Sequence, residues 1–274
     1  MGKFLAKRLL LIPFLLLIFS IIIFALIQAP PGDFMTTYSA ILAGSGSSLD
    51  AEQLNAMRVS YGLDQPMHIQ YIRWLGKLLH GDMGLSLLYM LPNKQLIGER
   101  LGPTILLALF SFILSWLIAI PSGIYSATHK NSFGDYFFMV INYIGVAIPN
   151  FFLALLLMWF FYSHYGLNLV GLFSPEFEMA PWSYAKFLDM LKHIWLPAII
   201  LALGGSARLT RVMRANLLDE LGKPYMITGR AKGMSEWALI MKYPVRLAIN
   251  PLVSTIGNYI PQLFSGSLIV ATVM

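Results

Sequence analysis

The chain of 274 residues contains no cysteine, little charge and no assembled catalytic motif. Without cysteine there is no disulfide framework, no thiolate metal site and no thiol nucleophile. Charged side chains make up only 12% of residues, about half the share of an ordinary soluble domain. No G-x-x-x-x-G-K-[ST] loop is present. The Gly44–Ser48 run, GSGSS, lacks the lysine that would reach phosphates and reads as a flexible linker. The histidines (His68, His80, His129, His164 and His193) are scattered, and no H-E-x-x-H pair places two of them on one helix face to hold zinc. A G-x-S-x-G elbow is also missing. With no constellation of acid, base and nucleophile, neither an enzyme nor a metal site is expected.

What the chain does have is apolar length. Hydrophobic residues reach 57%. Four uncharged windows, Leu9–Ile27, Leu101–Ala127, Tyr136–Ser163 and Leu247–Met274, are each long enough to cross a bilayer, which takes about 20 apolar residues. A fifth, His193–Ala207, is short but spans if its helix continues through Arg208 to Met213 with the arginine snorkelling. The expected fold class is therefore an all-α polytopic membrane protein with five spans. The N-terminal apolar run, at ~19 residues, exceeds the usual 7–15 of a signal peptide, so a retained first helix is expected. No charge interrupts the four long windows. Ion-coupled carriers place Asp, Glu or Lys in such positions, so the sequence argues against a self-powered antiporter or symporter.

The net charge of +6 would suit nucleic acid, but the basic residues sit at the ends of apolar runs, where they set membrane orientation instead. With Lys3, Lys7 and Arg8 inside, residues 1–28 form the first span and place 29–100 outside as an extracytoplasmic insertion. The remaining 101–274 form the core transmembrane region, with 208–246 on the inner side. That inner stretch carries Arg208, Arg211, Arg214, Lys223, Arg230, Lys232, Lys242 and Arg246, as the positive-inside bias requires. In the outer insertion, Asp50 is placed to cap a helix that Gly62 ends. A second helix is expected over Met67–Leu79, stopping at Gly81. The insertion reads as a cap packed on the bundle rather than an independent binding domain, because few apolar positions are available for a core.

Pro121, Pro149, Pro197, Pro251 and Pro261 interrupt the apolar runs, as do several glycines. They serve helix packing or act as hinges. Ser111, Ser115, Asn142, Asn150, Asn258, Gln262 and Ser265 are polar residues within the spans. They can hydrogen-bond between helices or line a translocation pathway. Asn258 and Gln262, four apart on one helix face, are the stronger pathway pair, with Asn142 and Asn150 as further candidates.

The inner segment is too long for a simple turn. Ala207–Leu221 has helical composition. Gly222 and Pro224 break it, Tyr225–Ala231 forms a short helix that Gly233 stops, and Ser235 begins another. A basic, amphipathic helix in this position fits a lipid-lying element and a docking site for a soluble subunit equally well.

Thr228–Gly233 (TGRAKG) followed by Asn250-Pro251 resembles the cytoplasmic loop of binding-protein-dependent ABC importer permeases, and more narrowly the dipeptide and oligopeptide permease branch. Further matching segments run in order along the chain. They are KFLAKRLL at the start, APPGD at Ala29–Asp33, YGLDQP at Tyr61–Pro66 with QYIRWL after it, and GDMGLS at Gly81–Ser86. ERLGPTILLAL at Glu99–Leu109, IPSGIYSA at Ile120–Ala127, IPNFF at Ile148–Phe152, RVMRAN at Arg211–Asn216 and NPLV at Asn250–Val253 follow. The likeness covers essentially the whole chain.

The resemblance implies a type I ABC importer bundle in a bacterial or archaeal inner membrane, with a cytoplasmic N-terminus. The implied partners are a sister permease, two ATP-binding subunits and an external solute-binding protein, with no nucleic acid. No cofactor is expected on this chain, since ATP and Mg would sit on the partner subunits. Thr228, Gly229, Arg230, Ala231, Lys232 and Gly233 would form the helix that couples to the ATPase. The implied cargo is peptide, with oligosaccharides or nickel chelates as alternatives carried by the same architecture, and an ATP-independent channel or facilitator as the rival class. Two departures stand out. Ile227-Thr228-Gly229 replaces the Glu-Ala-Ala of the wider superfamily, so no glutamate contact carries over. Gly229 costs the helix about 1 kcal/mol, which suggests a helix stabilised on docking. Such permeases also have six spans, so a span beyond Met274 is expected to be missing.

Overall fold

The computed structural model describes residues 2–44, 50–86, 88–89, 91–167, 169–178 and 180–273, with the backbone alone given for Phe4, Glu178, Tyr259, Ile260 and 262–273. The Ser45–Ser48 part of the expected linker and the side chains of Gln262 and Ser265 therefore lie outside the described residues. The chain divides into two compact units, Met1–Glu99 and Arg100–Met274.

The first unit opens with α1 (Gly2–Gln28), whose apolar side chains are exposed almost throughout. Next come α2 (Phe34–Gly44), α3 (Ala51–Tyr61), α4 (Met67–Leu79) and a minimal antiparallel pair, β1 (Leu85–Ser86) with β2 (Leu91–Pro92). Asp50 is the N-cap of α3, and its N–H donates to Gln53 Oε1 at 3.2 Å. Gly62 ends α3 in the left-handed conformation, as its position in the sequence predicts. The α4 helix covers the expected range and lies against α1. Phe24 meets Tyr71 edge-on at 5.4 Å, and a hydrogen bond of 2.8 Å joins Ser20 and Tyr71. Arg58 grips Asp33 with two hydrogen bonds, 2.6 and 3.1 Å, tying α3 to the turn before α2. Chiefly through this bond, Arg58 holds the Asp33 carboxyl below its ordinary value.

The second unit is built around α9. Its helices are α5 (Asn93–Thr128, whose first turns belong to the first unit), α6 (Phe133–Ala147), α7 (Asn150–Tyr165), α8 (Pro175–Glu178), α9 (Tyr184–Leu221), α10 (Pro224–Ala231), α11 (Glu236–Lys242) and α12 (Pro244–Val273). The α9 helix packs on α6, α7 and α12. One half of it joins Leu107 and Ala154 in an apolar cluster through Ile194, Leu196 and Ile200. The other half places Met213 and Leu217 against Met226, Leu239 and Leu252.

Three helices among the described residues are long and apolar enough to cross a membrane: α1 (from Leu5), α5 and α9. The expected span Tyr136–Ser163 is not one continuous helix. It is two helices, α6 and α7, bent by 104°, and it makes a fourth candidate only if the bent pair crosses as one. The cause is Pro149, which has no N–H to donate and forces the residue before it out of the helical region. Ile148 is accordingly extended (φ −90°, ψ 122°), and α7 restarts at Asn150. Pro121, Pro197, Pro251 and Pro261 stay inside unbroken helices. The last expected span, Leu247–Met274, falls in α12, about half of it where only the backbone is described.

Candidate functional site

The segment between α9 and α12 folds as two short helices held together by side chains. Pro224 occupies the first turn of α10, where its missing N–H has no partner to lose. At the other end, Gly233 takes φ +76°. Its N–H donates to the Arg230 carbonyl at 2.9 Å, and the Met234 N–H reaches the Gly229 carbonyl at 3.3 Å. This double closure is the Schellman motif, which satisfies the last carbonyls of a helix.

Met226 and Gly229 face inward and are buried, whereas Ile227, Thr228, Arg230, Ala231, Lys232 and Gly233 are exposed. Ile227 exposes 69% of its surface and Trp237, on α11, exposes 65%. A short helix thus presents a mixed apolar and basic face outward while its other face is anchored.

Gly229 has a reason that the sequence did not disclose. A Cβ at this position would stand 2.3 Å from Leu239 Cδ1 and 3.2 Å from Cδ2, so the bare backbone is what lets α11 close on α10. The helix is formed and packed in the chain by itself. Within the chain, Leu239 and the Schellman cap hold it, contacts that propensity alone does not disclose.

Arg230 also reaches across to Glu236, with Nε and Nη2 bound to the two carboxylate oxygens. That hydrogen bonding holds the Glu236 carboxyl below its ordinary value. Ser235 is the N-cap residue of α11 but makes no side-chain capping bond. The pairing of Arg230 with Glu236 escaped the sequence reading. Its only trace was a basic residue ending one short helix and an acidic one opening the next.

At the start of the segment, the Tyr225 hydroxyl donates to Glu220 at 2.7 Å. Burial first, and then the bonded carboxylate, push the Tyr225 phenol up to about 12. A phenol with a raised folded pKa contributes stability that is complete below its unfolded value of about 10 and is lost as pH climbs from there toward 12. Tyr225→Phe is therefore expected to lower stability by about 1 kcal/mol at neutral pH and to flatten the decline above pH 10. Thermal midpoints of the two proteins across pH 7–12 check this, and equal slopes above pH 10 would contradict it.

A second polar region joins α5, α6 and α9. Asp135, in the first turn of α6, is fully buried and accepts two hydrogen bonds from Arg214, 2.9 and 2.7 Å. It also accepts the Asn131 N–H at 3.0 Å. Beside this pair is a cavity of about 230 Å3 lined by Asn142, Tyr143, Arg211 and Arg214 among others. Of the candidate pathway residues, Asn142 is brought to this cavity. Asn150 lies against Gly204 of α9, Asn258 is exposed on α12, and the Gln262 side chain lies outside the described residues. Ser111 and Ser115 are buried and bond to carbonyls one turn back in α5.

The sequence has counterparts among known proteins. Residues 119–274, which include the whole α9–α12 segment, match the family model of the binding-protein-dependent transport system inner membrane component. Residues 1–87 match the N-terminal model of the same kind of membrane component. The chain belongs to this family.

A putative peptide permease of Brucella ovis is 33% identical over 275 residues, covering 100% of this chain and 83% of that protein. The oligopeptide transport system permease protein AppB of Bacillus subtilis is 35% identical over 274 residues, covering 98% and 82%. The inner membrane ABC transporter permease protein YejB of Escherichia coli O157:H7 is 36% identical over 229 residues, covering 82% and 63%. As a member of the family, the chain is a transport component of a membrane and not a catalytic subunit.

Proposed function

We propose that this chain is one permease subunit of an ATP-driven importer that passes peptides from an external solute-binding protein into the cytoplasm. Its five spans include the bent α6–α7 pair and α12, the N-terminus is cytoplasmic, and residues 29–100 lie on the outer side. A sister permease completes the pathway, and two ATP-binding subunits carry ATP and Mg. Peptide cargo is supported by the names of the relatives, and Asn142, Asn150, Asn258 and Gln262 are the residues offered for the pathway.

The observation that carries this reading is α10. Its outer face, Thr228, Arg230, Ala231 and Lys232 with Ile227, is exposed. Its inner face is fixed by Met226 and by Leu239 against Gly229. A helix anchored in this way moves as a unit when pushed, so force from an ATPase would pass into α9 and α12 rather than dissipate in a loop. ATP binding on the partners would supply the push, and the bundle would rock between inward- and outward-facing arrangements.

Gly233→Val tests the coupling. A β-branched residue in the left-handed region costs roughly 1–2 kcal/mol and unseats the turn, whereas Gly233→Asn tolerates that conformation. Uptake of a labelled peptide by intact cells is expected to fall at least about tenfold for the valine variant and to persist for asparagine. Normal uptake by Gly233→Val, with the protein present in the membrane, would exclude this mechanism and favour an ATP-independent facilitator.

A further inference from the structure

Of the cavity between α5, α6 and α9, the transport reading uses Asn142 alone. The cavity is lined by Ser126, Asn142, Tyr143, Thr210, Arg211 and Arg214, with a volume of about 230 Å3. Asp135 neutralises Arg214 through their paired hydrogen bonds. Arg211 is exposed, has no carboxylate partner among the described residues, and rests with its guanidinium 6.0 Å from the Tyr143 ring. The cavity therefore carries one unbalanced positive charge.

Its hydrogen-bonding capacity is also unspent. Ser126 Oγ is buried and lies near the Asp135 carboxylate, yet makes no hydrogen bond of ordinary geometry. The Asn142 carboxamide makes none among the described residues. An unpaired guanidinium, a carboxamide and a buried hydroxyl around one hollow are three kinds of donor without an acceptor. Of the three, Ser126 is buried, Asn142 half-buried and Arg211 exposed; a buried donor is ordinarily satisfied, and one oxyanion in the hollow would serve all three.

The level of the cavity and its surroundings say which oxyanion. Arg208 is the first charge after the apolar run that ends at Ala207, so Arg211 lies where apolar helix gives way to charge. Tyr143, 62% exposed, is the amphipathic kind of residue enriched at a membrane boundary. Phe137, Val140 and Ile144 are exposed on α6 at helical spacing beside it, offering apolar surface on which hydrocarbon can lie. A free phosphate would have no use for that surface. We propose that the cavity binds the phosphodiester of an anionic phospholipid. Arg211 matches its single charge, Asn142 and Ser126 donate to its oxygens, and an acyl chain follows α6. The site is independent of what the transporter carries.

The full chain, purified with its co-assembling subunits, tests this by thermal unfolding and by native mass spectrometry in mixed micelles. Phosphatidylglycerol is expected to raise the unfolding midpoint above that in phosphatidylcholine and to remain bound in the mass spectrum. Arg211→Gln is expected to weaken that binding about tenfold, the cost of one charged hydrogen bond. Arg208→Gln, which removes a neighbouring charge outside the cavity, is expected to leave it unchanged. Should Arg211→Gln fail to assemble, Asn142→Ala removes an uncharged donor from the same wall and is expected to lower the phosphatidylglycerol effect.

Equal losses from Arg211→Gln and Arg208→Gln would reduce the effect to general surface charge and overturn the proposal. So would equal stabilisation by the two lipids. Reproduction of the full effect by inorganic phosphate without lipid would overturn the lipid assignment. Peptide uptake is not the readout, so a failed lipid test leaves the transport reading standing, and the reverse also holds.

Discussion

Gly229→Leu is expected to abolish peptide uptake while leaving the protein inserted in the membrane. Even the first added carbon would stand 2.3 Å from Leu239 Cδ1, and Leu239 is fully buried. Overpacking of this kind costs roughly 1–3 kcal/mol when the surroundings must shift. Here the shift separates α10 from α11 and disturbs the pairing of Arg230 with Glu236. Gly229→Ala is the milder test, because Leu239 yields to one carbon by turning its side chain, and partial uptake is expected. Gly229→Leu combined with Leu239→Ala restores room and should recover part of the loss, which a double-mutant cycle reads as coupling between the two positions. Uptake by Gly229→Leu at the level of the unaltered protein would show that the α10–α11 contact carries no force.

Asp135→Ala is expected to have the largest effect on stability. It removes the partner of Arg214, whose side chain is only 22% exposed, and the acceptor of the Asn131 N–H at the α5–α6 turn. Breaking a buried ion pair on one side costs about 3–5 kcal/mol, because the remaining charge stays desolvated. Replacing both partners by apolar residues is often nearly neutral, so Asp135→Leu with Arg214→Met is expected to recover most of the loss. Unfolding midpoints of the purified chain in one detergent measure both variants. An unchanged midpoint for Asp135→Ala would mean that the pair contributes little to holding α6 on α9.

The local elements of the α9–α12 segment were legible because their signals are local. Pro224 and Gly233 bound α10 through backbone chemistry that needs no tertiary context, and Gly222 marks the end of α9 in the same way. The helix over Met67–Leu79 was equally readable from its spacing. The 104° break at Pro149 was only half legible. Proline announces a disturbance, yet Pro121 and Pro197 lie in apolar runs of similar character and leave their helices unbroken. The packing role of Gly229 was not legible, because propensity prices a glycine by its own backbone freedom, whereas the space here is set by a side chain ten residues further on.

By itself the sequence determined that the chain is helical and belongs in a membrane, since apolar length and charge placement are properties of composition and order. It also placed the short helix between Pro224 and Gly233, and its matching segments located the family. Only the tertiary structure decided which charges are neutralised. Asp135 and Arg214 are 79 residues apart, and nothing in either neighbourhood names the other. It likewise decided that Arg211, Asn142 and Ser126 from three helices share one cavity, and that Leu239 fills the space above Gly229. Such facts depend on how helices lie against one another, and that arrangement is fixed by the fit of many side chains at once rather than by any single stretch of chain.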